Sequence, residues 1–391
     1  MKLKIQNFAQ IKSADLNVGD PGDLTIIVGP QATGKSLALQ WLKLACDRLV
    51  VREDLERFAF TWANPREFLG LFFGDGMQQG YVDAGDAPTR VQLNGESIDL
   101  TTIAHKKKGR SANTEAMPTA YYVPAHRSLL LAEGWPKLFQ QYSADTPYVA
   151  RAASESLNAL LLRLSTKAAV FPQANRLQAS LRKTIDQAVF HGNQLKSDSS
   201  LSKRRLVLET ANGAMIPFMA WTAGQREFVP LMLALYELMP PSKVSRLDEY
   251  ETVILEEPEL GLHPQAVMAT MTLVLHLLHR GYRVVVSTHS TLLLECAWAL
   301  QRLKGAPDAA RSVRLAFALP SSPDTTAESA LKTNVRAYYL DYDSDARVTS
   351  RDISALDLFD ESPDVAGWGG LASYSARLSE HVARAVARSS N

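Results

Sequence analysis

Gly29-Pro-Gln-Ala-Thr-Gly-Lys-Ser36 is the stretch that decides how this chain is read. Immediately before it, Leu24-Thr-Ile-Ile-Val28 is an unbroken apolar and β-branched run, so a strand is expected to feed straight into the loop. Gly29 and Gly34 permit a tight turn in which Pro30, Gln31, Ala32 and Thr33 wrap one concavity and backbone N–H groups can cradle phosphate oxygens. Lys35 is spaced to reach the β and γ phosphates, and Ser36 to offer a hydroxyl to Mg²⁺. The helix that starts near Lys35 and continues through Leu37 points its positive end at the anion. Leu37, Trp41, Leu42, Leu44, Ala45 and Leu49 supply the helical periodicity. The combination predicts binding of a nucleoside triphosphate rather than an ordinary glycine turn.

The remainder of the chain bounds the setting of this loop. Its 391 residues, 46% of them hydrophobic, support a large core in one big domain or two lobes. A net charge of +1 gives no global field toward nucleic acid or an anionic membrane, so any DNA contact has to be local. Cys46 and Cys296 lie in apolar helix-like contexts and make no metal-ligand or disulfide framework. The N-terminal Met-Lys-Leu-Lys-Ile-Gln-Asn-Phe alternates like a strand, and no run of about 18 apolar residues occurs. A cytoplasmic protein without a membrane partner is expected.

Lys2 to Phe8 and a run near Ala14 to Val18 read as an antiparallel pair leading to the loop strand, and a long helix is expected from Ser36 to about Phe60. Between 65 and 120, Gly74, Gly76, Gly80, Gly85 and Asn94-Gly95 separate short alternating runs, as in a β-meander. His105 to Arg110 is basic and reads as an exposed loop. Ala120-Tyr-Tyr-Val123 is strand-like and stops at Pro124, after which residues 150–190 show helical periodicity.

Val253-Ile-Leu-Glu256-Glu257-Pro258 is a buried strand ending in two carboxylates, the place where an open α/β sheet carries its chemistry. Alternation along a strand lets the two acids point differently, Glu256 toward a metal and Glu257 toward an attacking water. Standing alone, the pair would read as an acidic turn. Further on, Arg283-Val-Val-Val-Ser-Thr-His289 is another buried strand, ending on a histidine. Upstream, Thr222-Ala223-Gly224-Gln225 opens a strongly apolar helix, and its small residues let N–H groups approach a second anion.

In this order the motifs resemble those of the ATP-binding-cassette ATPases. Within them the chain is similar to the overcoming-lysogenization-defect proteins and related AAA-like ATPases, which are relatives of RecF. The resemblance implies an α/β ABC-ATPase head with a mixed central sheet, an antiparallel β subdomain and a helical lobe. Gly29 to Ser36 would be Walker A, Thr222 to Gln225 the signature, Val253 to Glu257 Walker B, and His289 the switch histidine. Glu256-Glu-Pro-Glu259-Leu-Gly-Leu-His-Pro264 is the most group-specific string. The likeness covers 1–60 and 220–295 well, the middle loosely and the last 90 residues hardly at all. Expected divisions are 1–125 for Walker A and the β subdomain, and 126–220 for the helical lobe. Residues 221–318 would hold the other motifs, and 319–391 a C-terminal hairpin and helix.

Several positions depart from that pattern. Gln31 stands where Asn is commoner, Thr222 and Ala223 replace Ser and Gly, and no Q-loop glutamine is visible. His126 and Arg127, at the place of the Q-loop, are candidates for sensing the γ-phosphate or for carrying movement to the helical lobe.

The resemblance further implies ATP and Mg²⁺ as ligands and a head-to-tail homodimer that hydrolyses ATP. Lys35, Glu257 and His289 would be its catalytic residues, and Ser36 and Glu256 its metal ligands. Asp341-Tyr-Asp343-Ser-Asp345 reads as the turn of a hairpin rather than as part of a nuclease. With no effector of its own in view, the chain is expected to be the sensor or scaffold ATPase of an antiphage or toxin-type system. Its partner would then be a separate effector protein such as a nuclease or toxin. The alternative is a RecF-like DNA clamp, with Lys106 to Arg110 and Lys203-Arg204-Arg205 as phosphate contacts.

Overall fold

The computed structural model describes the chain outside residues 102–115, 165–168, 174–175, 200–202, 240–246, 248, 320–324, 358–359, 362–365, 369, 371–377, 380, 383 and 385–391. The basic run Lys106 to Arg110 and most of the expected C-terminal helix lie outside the described residues.

In chain order, β1 (Lys2–Phe8), β2 (Ile11–Asn17) and β3 (Leu24–Val28) lead into α1 (Lys35–Arg57) and α2 (Pro65–Phe73). Then come β4 (Arg90–Leu93), β5 (Glu96–Ser97), β6 (Ala120–Val123), the small hairpin β7 (Leu131–Ala132) and β8 (Trp135–Pro136), α3 (Tyr148–Arg163) and α4 (Ala179–Ile185). β9 (Gln194–Asp198), β10 (Arg205–Glu209) and β11 (Met215–Pro217) precede α5 (Ala223–Leu238), β12 (Thr252–Glu256), α6 (Pro264–His279), β13 (Arg283–Ser287) and α7 (Thr291–Leu303). α8 (Ala309–Ala316), α9 (Thr326–Lys332), β14 (Val335–Tyr342) and β15 (Val348–Asp352) close the described fold.

One mixed sheet of ten strands, ordered β5-β4-β1-β2-β15-β14-β3-β13-β12-β6, forms the centre. β14, β3, β13, β12 and β6 run parallel. β1 pairs antiparallel with β2 and β4. The two-residue alternation of β3 explains the layering: Leu24, Ile26 and Val28 face one core, which includes residues of α5, α6 and α7, while Ile27 faces the other, built with α1. A separate three-stranded antiparallel sheet, β11-β10-β9, sits in the stretch between α4 and α5.

The segment that read as a meander contains a helix. Asn64 caps α2 by accepting from Glu67 N at 3.0 Å, Pro65 occupies the first turn, and the Glu67 carboxylate accepts from Ala63 N at 2.7 Å. Gly74, counted as a turn between strands, ends that helix at a φ of +100°. Among the described residues only β4 and β5 make a hairpin here, and β4 extends the main sheet through β1.

The hairpin around Asp341 to Asp345 is present, yet it is no appendage. β14 pairs in parallel with β3, from Val335 opposite Leu24 to Tyr339 opposite Val28, and β15 joins β14 to β2. Residues to which the motifs gave no part therefore occupy the middle of the sheet, beside the phosphate loop.

A buried ion pair fixes the far edge. Within α1, Asp47 leaves helical geometry at φ −122°, ψ 29°, and its carboxylate receives Lys43 Nζ at 2.6 Å, Thr119 N at 2.7 Å and Ala120 N at 3.1 Å. With both charges paired and further hydrogen-bonded, the pair ties α1 to the start of β6.

Candidate nucleotide-binding and hydrolysis site

The loop between β3 and α1 has the backbone its glycines allow. Gly29 has φ +154°, and a Cβ there would lie 2.2 Å from the Leu340 carbonyl oxygen of β14, so no side chain fits. Gly34 caps α1 in the left-handed region at φ +79°. Thr33 Oγ1 donates to Pro30 O at 2.8 Å, and the Ala32 carbonyl receives both Gln10 Nε2 at 3.0 Å and Tyr342 Oη at 2.9 Å. Pro30, Gln31 and Ala32 are exposed, whereas the Leu37 side chain is in the core, which leaves its N–H as the group facing an anion.

Lys35 folds back over the loop and donates to Gly29 O at 2.9 Å and Pro30 O at 2.8 Å. Burial lowers its pKa to about 8, against the opposing pull of Glu257, Glu256 and Glu259. An ammonium held only by carbonyls and nearby carboxylates is poised for a polyanion.

The acidic strand end lies across from it. Glu256 is buried, and its Oε2 accepts from Tyr122 Oη at 3.0 Å and Ala125 N at 3.4 Å. Its Oε1 and the Ser36 hydroxyl make no hydrogen bond among the described residues. That donor set, one hydroxyl and one carboxylate oxygen beside a phosphate cradle, suits a Mg²⁺ that keeps waters and takes its other ligands from phosphate. Glu257 turns into the left-handed region at φ 42°, with its N–H donating to Ser287 O at 3.0 Å. The turn swings its carboxylate out of the strand alternation, to 3.4 Å from His289 Nε2.

His289 is held from behind. Glu259 Oε1 accepts from His289 N at 2.8 Å and from Thr288 Oγ1 at 2.6 Å, so the fourth residue of the Glu256 to Glu259 string braces the end of β13. Burial first, then the Lys35 charge, lowers the His289 pKa below its usual 6.5 and keeps the imidazole neutral at pH 7.

Arg127 does not fit the first of its two expected roles, sensing the γ-phosphate. It is fully buried, and its guanidinium donates to main-chain oxygens: Pro124 at 3.2 Å, Glu256 at 3.0 Å and Glu257 at 3.2 Å from Nη1, with Glu227 at 3.0 Å from Nε. Its own N–H donates to Glu227 Oε2 at 2.9 Å. The side chain is thus spent on carbonyls and offers nothing to a γ-phosphate. It ties the turn after β6 to the acidic strand end and to α5, while the neighbouring His126 is exposed. A lone Arg in a loop carries no sequence signal for this role; Glu227, two residues beyond Gln225, is the partner that could have suggested it.

Lys35, Glu256, Glu257 and His289 gather at one place, and Thr222 to Gln225 do not join them. Among the described residues no hydrogen bond links 222–225 to 29–37. Thr222 and Gln225 form a reciprocal cap on α5, with Gln225 N donating to Thr222 Oγ1 at 3.2 Å and Thr222 N to Gln225 Oε1 at 3.1 Å. Thr222 and Ala223 are exposed, and Gly224 approaches Gly261 so closely that a Cβ would sit 3.1 Å from its carbonyl oxygen. The cap opens onto its own cavity of about 400 Å³, shared with Gly261 to His263.

Strand order, phosphate loop and acidic strand end together fit an ABC/AAA-like ATPase. Residues 163–295 match the family described as "AAA domain, putative AbiEii toxin, Type IV TA system". Comparison with curated proteins gives no match. Among solved structures the chain is similar to the SMC head domain from Thermotoga maritima, at 12% identity and a TM-score of 0.38, over 90% of this chain and 97% of that one. An SMC head bound to the C-terminal winged-helix domain of ScpA is similar at 10% identity and 0.41, over 90% and 96%. A dimeric bacterial ABC transporter cassette follows at 14% and 0.31, over 74% and 88%. Likenesses this low add nothing to what the strand order itself carries.

Proposed function

We propose that the chain is a dimeric ATP switch, in which two copies pack head to tail and each ATP lies between Gly29–Leu37 of one copy and Thr222–Gln225 of the other. The observation that carries the reading is the separation just described, two anion-suited half-sites in one chain with no hydrogen bond between them. Lys35 binds the β and γ phosphates, Gly29 to Ser36 cradle them with backbone N–H groups, and Thr222 to Gln225 close the far side. Glu257 orients and polarises the attacking water, with neutral His289 beside it. Ser36 and Glu256 would hold Mg²⁺, which when bound would supply charge neutralisation at the phosphates. Arg127 passes any displacement at the Glu256–Glu257 turn to α5 through Glu227.

In the cell, we read this switch as the sensor or scaffold ATPase of a cytoplasmic antiphage or toxin-type system that controls a separate effector. The toxin-antitoxin description attached to the family matched over 163–295 supports this. The basic run at 203–205 gives a DNA clamp little support: it is three residues long and Arg205 is held by Asp198, too short a track of free charge for a duplex backbone. No helix among the described residues is long and apolar enough to cross a membrane.

Glu257→Gln tests the switch. The variant is expected to bind ATP, lose hydrolysis by about 10²-fold or more, and accumulate as a dimer in ATP by light scattering while remaining monomeric in ADP. A Glu257→Gln protein that turned over ATP at the normal rate, or stayed monomeric in saturating ATP, would overturn the proposal.

A further inference from the structure

A groove of about 720 Å³ opens between the β7–β8 hairpin and the segment leading to α5. Its apolar lining comes from Trp135, Leu138, Phe218 and Met219, and Met219 is 70% exposed. One wall is basic, with Lys203, Arg204 and Arg205 along it and Glu133 as the one acidic lining residue. Lys203 and Glu133 stand 3.5 Å apart with side chains 79% and 80% exposed, a contact that solvent screening leaves weak. Arg205 is engaged with Asp198 at 2.9 Å. Arg204 is exposed and has no hydrogen-bond or ion-pair partner among the described residues.

One bordering segment continues from the hydrolysis site and the other leads into the signature cap. The hairpin follows the turn Arg127–Leu130, whose first residue holds the carbonyls of Glu256 and Glu257. The turn Phe218–Ala220 precedes Trp221 and the Thr222 cap; Phe218 packs edge-on against Trp221 at 5.2 Å, and Trp221 Nε1 anchors to Ile216 O at 3.0 Å. A molecule seated in the groove therefore touches the chain just beyond the turn that holds the acidic strand end and also on its way to the signature cap.

We propose that this groove docks the separate partner protein, taking from it a segment in which acidic residues flank an apolar anchor. The proposal rests on the reading of the chain as a switch for a partner. Charge complementarity selects the occupant, since a wall with an excess of positive groups steers and registers an acidic segment. The exposed Met219 side chain adapts to an apolar anchor. A nucleic-acid backbone would satisfy the wall but leave the apolar lining of Trp135, Leu138, Phe218 and Met219 uncovered. A second copy applying the same face would set basic wall against basic wall.

Selection of a displayed random-peptide library on the full-length, nucleotide-free protein tests this, with counter-selection on the double variant Arg204→Glu, Met219→Asp. Enriched peptides are expected to carry Asp or Glu around Leu, Ile, Phe or Met. A synthetic copy of one of them should bind the wild type about tenfold or more tighter than the variant, and progressively more weakly as salt rises. Peptides that bind both proteins equally, or that carry basic residues, would overturn the proposal. So would displacement of the peptide by a short duplex DNA, which would assign the face to nucleic acid.

The variant's thermal unfolding and basal ATPase should match the wild type. Dimerisation in ATP, measured on the variant carrying Glu257→Gln as well, separates the two readings: a retained dimer with lost peptide binding supports docking, and a lost dimer gives the face to a second copy. Because the selection is run without nucleotide, it reads the groove even where ATP-driven dimerisation fails.

Discussion

β13 and β14 flank the phosphate-loop strand β3 on opposite sides, run parallel to it, and end beside the same loop. From β13 come the reactive-looking groups: Thr288 and His289 emerge from its end, braced by Glu259, with the Glu257 carboxylate in reach. From β14 comes shape. Its Leu340 carbonyl packs where a Gly29 side chain would be, and its Tyr342 hydroxyl holds the Ala32 carbonyl. On the proposed reading one neighbour acts on what the loop holds and the other holds the loop, so damage to the two should have different signatures.

The largest effect is expected on the β14 side. In Gly29→Ala the new methyl meets a backbone oxygen that cannot rotate away, at a φ that L residues rarely adopt. Separation of β3 from β14 should cost about 2 kcal/mol or more and abolish nucleotide binding, seen as a lowered unfolding midpoint that ATP no longer raises. An Ala variant that still bound ATP would break the comparison, because the loop would then not need β14.

His289→Ala probes the other side. Turnover should fall by about 10²-fold with ATP affinity and thermal midpoint near wild type. A loss of affinity as large as the loss of rate would mean that β13 also holds the loop.

Tyr342→Phe is a smaller change, removing one hydrogen bond to Ala32 O. A cost of about 1 kcal/mol should appear as a several-fold weaker ATP affinity with unchanged turnover at saturation. An effect on turnover alone would place Tyr342 with the reacting groups.

Lys35 lies between the two sides and gives the smallest signal. Its pKa of about 8 is depressed from 10.5, so in the free protein it is part-neutral at pH 8 to 9, and a bound polyanion favours the charged form. ATP binding should therefore take up a fraction of a proton near pH 8.5 and almost none near pH 6, measured calorimetrically in buffers of different ionisation enthalpy. Affinity should decline as pH rises through about 8. Proton release on binding would contradict burial as the cause of the depression.

The β13 half of this arrangement is legible in sequence because chemistry sits in short range there. A β-branched run ending in Ser-Thr-His, and another ending in Glu-Glu, announce the strands and suggest their chemistry: the strands read at 24–28 and 120–123 match those observed, while those read from Val253 through Glu257 and from Arg283 to His289 stop at Glu256 and Ser287, the last residues of each run turning out of the sheet. The β14 half is illegible because its contribution is a carbonyl and a pairing register, which any apolar strand could supply. Its Asp-rich turn, which drew the eye, serves as a local brace in which Lys12 pairs with Asp343 and Asp345 at 2.7 and 3.0 Å. Arg127 was hidden for a similar reason: it binds main-chain oxygens, which have no residue identity to read. The helix at 65–73 was missed because its closing glycines look the same as the turns of a meander.

The pairing of β3 with β14 joins groups such as Ala32 and Tyr342, which are 310 residues apart. A chain growing from its N-terminus thus makes its phosphate loop early but gains this brace only about 310 residues later. Loop and brace meet only once β14 has left the ribosome and paired with β3.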